Sequence, residues 1–230
     1  MKKTISAFVI IMSVTFIFGI NSFAQKAFKG IITYTIAYSG NIDPATAAQQ
    51  PKTMILSIFE NKQKMNLPLG PINIDMITDG DSKTSTTLID MMGDKKFYKI
   101  TKEELDKKIA EEPKPVIAYK DETKTIAGYT CKKAEYSITK DGETNTTMVF
   151  YTEELGNENL NYGGQFHSLK GVPLEYVITT PDGIITTWTA TEVKKGKVKE
   201  TDFLIPDDYV ELSAEEKEQM MKMFSGEGEE

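Results

Sequence analysis

The chain contains no arginine. Its positive charge is all lysine, so the planar guanidinium fork that grips phosphate or carboxylate bidentately is missing. Acidic residues outnumber basic ones, 34 to 27, for a formal charge of −7. With no basic stripe and no interleaved aromatics, nucleic acid is excluded as a partner. The single cysteine, Cys131, permits no intramolecular disulfide. Lys132 and Lys133 adjoin it, but the neighbour of a strand residue points to the opposite face, so Cys131 reads as a buried, inert thiol. The single histidine, His167, rules out a histidine-based metal cluster. Any Ser-His-Asp set would have to use it, yet no serine sits in a nucleophile elbow. A glycine-rich phosphate loop is also missing. Asp79-Gly80-Asp81-Ser82 lacks the spaced oxygens and closing glutamate of a calcium loop and reads as a turn. Asp207-Asp208 reads as a solvated turn or helix start. These absences predict a non-enzymatic protein with no catalytic residues, no metal and no cofactor.

Apolar residues at 40% and aromatics at 10% are enough for a substantial core and exclude global disorder. At the N-terminus, Lys2 and Lys3 precede an almost unbroken apolar run over residues 5–20, and Ser22-Phe23-Ala24 offers small residues at a cleavage site. This is the pattern of a secretory signal peptide, residues 1–24, cut after Ala24. The run is shorter than the roughly 20 residues of a spanning helix. No cysteine follows the cut, so lipid attachment there is not expected. The mature chain is therefore expected to be exported, periplasmic or otherwise extracytoplasmic, with no membrane span once the signal is removed.

The stretch 124–139 anchors the strand reading. Tyr129 and Cys131 are apolar in one phase and Ala134, Tyr136 and Ile138 in the other. A β-bulge at Lys132-Lys133 would produce that change and would curve the sheet. The partner strand is expected at 147–151, with the remaining strands added as hairpins on either side. Alternating patterns predict further strands over 30–38, 52–60, 63–67, 72–78, 83–90, 95–100, 172–180 and 184–193. Two more are expected over 198–201 and 203–206, the latter closing the sheet. Pro68 to Pro71 should interrupt pairing, because proline cannot donate to a central ladder. The segment 45–48 is too short for a helix, and 156–165 reads as a polar loop.

Two helices are expected. Thr101 and Glu104 form a capping box that opens the first; Leu105 and Ile109 give it a narrow apolar stripe, and Pro113 ends it. Ser213 and Glu216 open the second, with Met220, Met223 and Phe224 on one side. The fold class is thus α+β, mainly β: a strongly curved, unclosed antiparallel sheet with one mid-chain and one C-terminal helix. One domain spans 25–224, followed by an acidic tail, 225–230.

Three segments resemble exported bacterial proteins of unknown function in the lipoprotein-localisation (LolA/LolB-like) superfamily. They are Phe28-Lys29-Gly30-Ile31-Ile32-Thr33-Tyr34, the run from Thr125 to Lys133, and Leu169-Lys170-Gly171-Val172-Pro173-Leu174-Glu175. The resemblance implies an unclosed half-barrel around helices, with an apolar interior that holds acyl chains in characterised members. Carriers of that superfamily latch the cavity with an arginine. This chain has none, so the fold carries over better than the shuttling mechanism.

Tyr34, Phe59, Met76, Phe150, Tyr176 and Trp188 sit on the predicted strands. In a half-barrel too wide to fill itself they would line a cavity for a hydrophobic small molecule or acyl chain, with methionines adapting the walls. Trp188 shares a phase with Ile184 and Ala190 and is expected on the concave face. The function expected is that of a lipid- or hydrophobe-binding envelope protein. The alternative is an envelope interaction protein that docks another protein on its curved sheet and fills its own interior.

Overall fold

The computed structural model describes residues 27–225. The expected signal peptide and the end of the acidic tail lie outside the described residues. Among the described residues, no helix is long and apolar enough to cross a membrane.

Chain order explains the architecture. Strands β1 (Lys29–Gly40), β2 (Thr53–Phe59), β3 (Lys62–Leu69), β4 (Ile72–Asp79), β5 (Thr84–Met91) and β6 (Asp94–Ile100) form one meander. A short helix, α1 (Pro44–Gln49), sits between β1 and β2. Helix α2 (Lys102–Glu111) then carries the chain to β7 (Val116–Ile126). The second meander is β7, β8 (Tyr129–Lys140), β9 (Glu143–Thr152), β10 (Val172–Thr179) and β11 (Ile184–Lys195). The two join where β1 pairs antiparallel with β11. Last come β12 (Val210–Glu211) and α3 (Ala214–Ser225). The result is one unclosed, curved sheet of twelve strands in the order β12-β6-β5-β4-β3-β2-β1-β11-β10-β9-β8-β7. The mainly-β class expected from the alternating patterns is what the chain adopts.

Alternation in β1 and β2 builds the centre. Tyr34 pairs with Met54 and Ile32 with Leu56, and all four are nearly inaccessible. A fully buried side chain of this size contributes about 1.5–3 kcal/mol. In β4 to β6 the sheet is covered on both sides, which is why Thr87, Leu88 and Ile89 are buried in succession. Ile77, Leu88 and Phe97 meet Val198 and Phe203, from the segment that follows β11. The other phase, Ile74 opposite Ile89, faces the opposite side.

Several expectations are corrected. Residues 124–139 are not the centre of the sheet: β8 is next to the end strand, and β1 with β11 holds the middle. Nor is β8 bulged at Lys132-Lys133. It pairs with β9 without interruption from Lys132 to Lys140, and the irregularity lies in β7, between Tyr119 and Thr123. The apolar phase still changes along β8. Cys131 packs with Leu155 and Val172, whereas Ala134 and Tyr136 pack with Phe166 and Leu169. The inserted residues are in β7, where 120–122 stand opposite Lys133.

The strands expected at 198–201 and 203–206 do not form. Residues Glu200–Phe203 make a 3-10 turn that inserts Phe203 against the sheet. The edge beside β6 is instead formed by β12, which pairs parallel with it over two residues. Pro68 does not end β3. It lies opposite Asn73 of β4, beyond the last β2 pair at Asn66, so no second ladder needs its missing N–H. A helix that the sequence pattern did not predict, α1, is nucleated by Asp43, whose Oδ1 accepts from the Ala45 and Thr46 amides, with Pro44 at its first position.

Candidate functional site

The loop expected at 156–165 forms, with a 3-10 turn over Glu158–Asn161, and the chain around it bears on the site. Between β9 and β10 the chain enters the core: Leu155, Leu160 and Leu169 are fully inaccessible and Phe166 is 6% exposed. Asn161 ties the segment together. Its Nδ2 donates to the carbonyls of Leu169 and Gly171, both at 2.8 Å, in a buried setting. Gln63 Nε2 donates to Leu160 O at 2.7 Å and fastens the segment to β3. Leu155 and Leu160 join the cluster that holds Tyr34, and Phe166 and Leu169 the one that holds Tyr176.

The six candidate cavity residues therefore divide. Tyr34 is 1% exposed and donates from its hydroxyl to Pro173 O at 2.8 Å. Tyr176 and Trp188 are direct cross-strand partners and stack, with centroids 5.7 Å apart and an interplanar angle of 13°. The structure thus gathers Tyr34, Tyr176 and Trp188 into adjoining core clusters that share Trp188. Phe150 is half-buried at the edge of the first cluster, with Lys124 Nζ 5.5 Å from its ring. Phe59 pairs with Lys29 and belongs to the opposite phase from Tyr34; it meets Phe203 at 6.3 Å. Met76 is 43% exposed.

An open cleft of about 840 Å³ lies elsewhere, between α2, the end of β8 and the turn at 163–168. Helix α2 begins as its capping box predicts: Thr101 Oγ1 accepts from the Glu104 amide at 3.3 Å, and Glu104 Oε2 accepts from the Thr101 amide at 2.7 Å. Leu105 is the residue of α2 that is buried. Gly163, at φ +68, lies against it: a Cβ there would come within 3.0 Å of Leu105 Cδ2. Tyr162 donates from its hydroxyl to Asp106 of α2, and Asp106 also pairs with Lys102.

Ile109, Ala110, Pro113, Pro115, Tyr136 and Ile138 form the apolar wall of this cleft, and His167 and Ser168 close one side. His167 packs edge-on against Tyr162 at 5.6 Å, and its carbonyl accepts from Tyr136 Oη at 3.2 Å. Its Nδ1 is buried with no hydrogen-bond partner. Burial pushes the imidazole's pKa below its ordinary 6.5, and Glu112 works against that shift. Among the described residues, no carboxylate hydrogen-bonds to Nδ1. Among the described residues, no group of three or more His, Cys, Asp or Glu could hold a metal.

A run of edge and stacked rings leads inward from the cleft. Tyr136 meets Phe166 at 5.5 Å, Phe166 meets Tyr176 at 4.9 Å, and Tyr176 stacks on Trp188. The cleft wall and the central tryptophan are thus in continuous contact. Sequence reasoning found α2 and its stripe but not the cleft. Its second wall comes from a loop whose buried leucines are scattered among Asn and Gly, without helical or strand period. No family model matches the chain, and no curated protein matches it with significance.

Proposed function

We propose that this protein binds a hydrophobic guest without catalysing a reaction, and that the guest occupies the cleft beside α2. The observation that carries this reading is the cleft itself. Its volume of about 840 Å³ falls in the range of small-molecule sites, and its walls are largely apolar. The reading moves the guest away from Tyr34, Tyr176 and Trp188, whose surroundings are filled by residues 153–171. Export to the cell envelope, and membership of the LolA/LolB-like superfamily, belong to the same proposal. They rest on the N-terminal apolar run and on the three resembling segments.

Mass spectrometry of protein purified without detergent tests it. A co-purifying hydrophobic molecule, released by Ile138→Asp, is the expected result. Protein free of any guest that also fails to take up an added alkyl chain would remove the reading.

A second reading has its own support. Because Leu155, Leu160, Phe166 and Leu169 fill the interior, the curved sheet can serve as a rigid docking surface for another envelope protein. A stable partner recovered with guest-free protein would favour it.

A further inference from the structure

The charges around the cleft beside α2 are unevenly compensated. Of the acidic residues that line it, Asp106 is engaged by Lys102 and by the Tyr162 hydroxyl, and Glu112 lies 3.7 Å from Lys108. Two lining lysines remain. Lys114, between α2 and β7, and Lys140, at the end of β8, have no carboxylate within ion-pair distance among the described residues and no hydrogen-bond partner. Other described lysines without an ion pair exist on the surface, but these two line the same cleft, whereas Lys62, Lys95, Lys124 and Lys133 are each held by a carboxylate. Two lysines without an ion pair among the described residues, on separate elements, thus flank one apolar trough.

We infer that the guest is a free, single-chain amphiphile with an anionic head group. Its alkyl chain lies along Ile109, Pro113, Pro115 and Ile138, and its carboxylate or phosphate sits between Lys114 and Lys140. This rests on the hydrophobe-binding reading and adds the head-group chemistry to it. Lysine suits such a head group, because a mobile ammonium on a four-carbon stem meets it as a point charge and does not impose the fixed geometry of arginine. The stems extend the apolar wall while the charged ends stay in water. Attraction of this kind is screened, so affinity falls as salt rises.

Calorimetric titration with dodecanoate, dodecanol and dodecyltrimethylammonium, each below its micellar concentration, tests the inference. Dodecanoate should bind one to one and roughly tenfold more tightly than dodecanol at low salt, with the cationic chain weakest. Neutralising both lysines, Lys114→Gln with Lys140→Gln, should abolish the preference and leave dodecanol binding within about twofold. Lys107→Gln, on the same helix but outside the cleft, should change nothing. Equal binding of dodecanoate and dodecanol to the unaltered protein would overturn the head-group inference while leaving the hydrophobe reading intact. Failure of all three chains to bind would remove both. Sedimentation with anionic phospholipid vesicles, without binding of monomeric dodecanoate, would replace the single-chain guest with a bilayer surface and overturn the inference.

Discussion

Trp188 stacks on Tyr176 at 5.7 Å, yet its indole N–H is buried with no acceptor among the described residues. The pair links the two core clusters on either side of β11, so the ring is held by packing and not by a hydrogen bond.

Trp188→Ala should therefore cost about 3 kcal/mol, the low end for a core aromatic, because the ring is only partly buried. Trp188→Phe should cost clearly less, because it keeps the stack and removes the unsatisfied donor. Urea denaturation followed by circular dichroism separates the two. Equal losses for both variants would mean that the N–H has a partner.

Asn161 is the fastening of the buried loop. Asn161→Ala leaves the Leu169 and Gly171 carbonyls without their donor and should destabilise by about 2 kcal/mol. Proteolysis of the native protein should then begin within 153–171. Unchanged resistance would show that the loop is held by its leucines alone.

Cys131 is fully inaccessible, and burial pushes its thiol pKa up to about 11. At pH 8 the folded protein should react with an aromatic disulfide reagent about a hundredfold more slowly than the unfolded chain. Rapid labelling of folded protein would contradict the packing of β8 against Leu155 and Val172.

Glu104 joins α2 to α3. Its carboxylate accepts from Lys217 Nζ at 2.7 Å and from the Thr101 amide, and both hold its pKa below the ordinary 4.5. A depressed carboxylate pKa adds stability above its unfolded value and loses it as pH falls through the folded one. The contact should weaken below about pH 4.5, and Glu104→Gln should flatten that dependence in urea midpoints compared at about pH 6 and about pH 3.5. Half of the side chain is in water, so the effect will be small.

Local signals in the chain were legible wherever they act alone. The Thr101–Glu104 box starts α2 at the expected residue, and Asp141-Gly142, with φ 53 and 85, turns β8 into β9 as such a pair should. The alternating runs that built β1 and β2 are read directly from their period. What was hidden depends on which surface covers which. The phase change after Cys131 reads as a bulge in its own strand, whereas the extra residues lie in the neighbouring β7, which the pattern of β8 alone does not reveal. Phe203 looked like a strand residue because apolar runs are ambiguous when short. The candidate rings illustrate the same limit. Tyr34 and Tyr176 are buried and Trp188 packs against both clusters, but Phe59 belongs to the other phase of the sheet and Met76 is substantially exposed. The cleft beside α2 was not legible, since its second wall is a loop whose inward turn leaves no periodic trace.

The most direct test is where a guest lies. A stearate carrying a nitroxide on its tail broadens the amide signals of residues close to the chain. Binding beside α2 predicts selective broadening at Ile109, Ala110, Ile138 and His167, reversed when the nitroxide is reduced. Broadening centred instead on the outer residues Ile55 and Met148, or none at all at saturating stearate, would contradict a guest in the cleft.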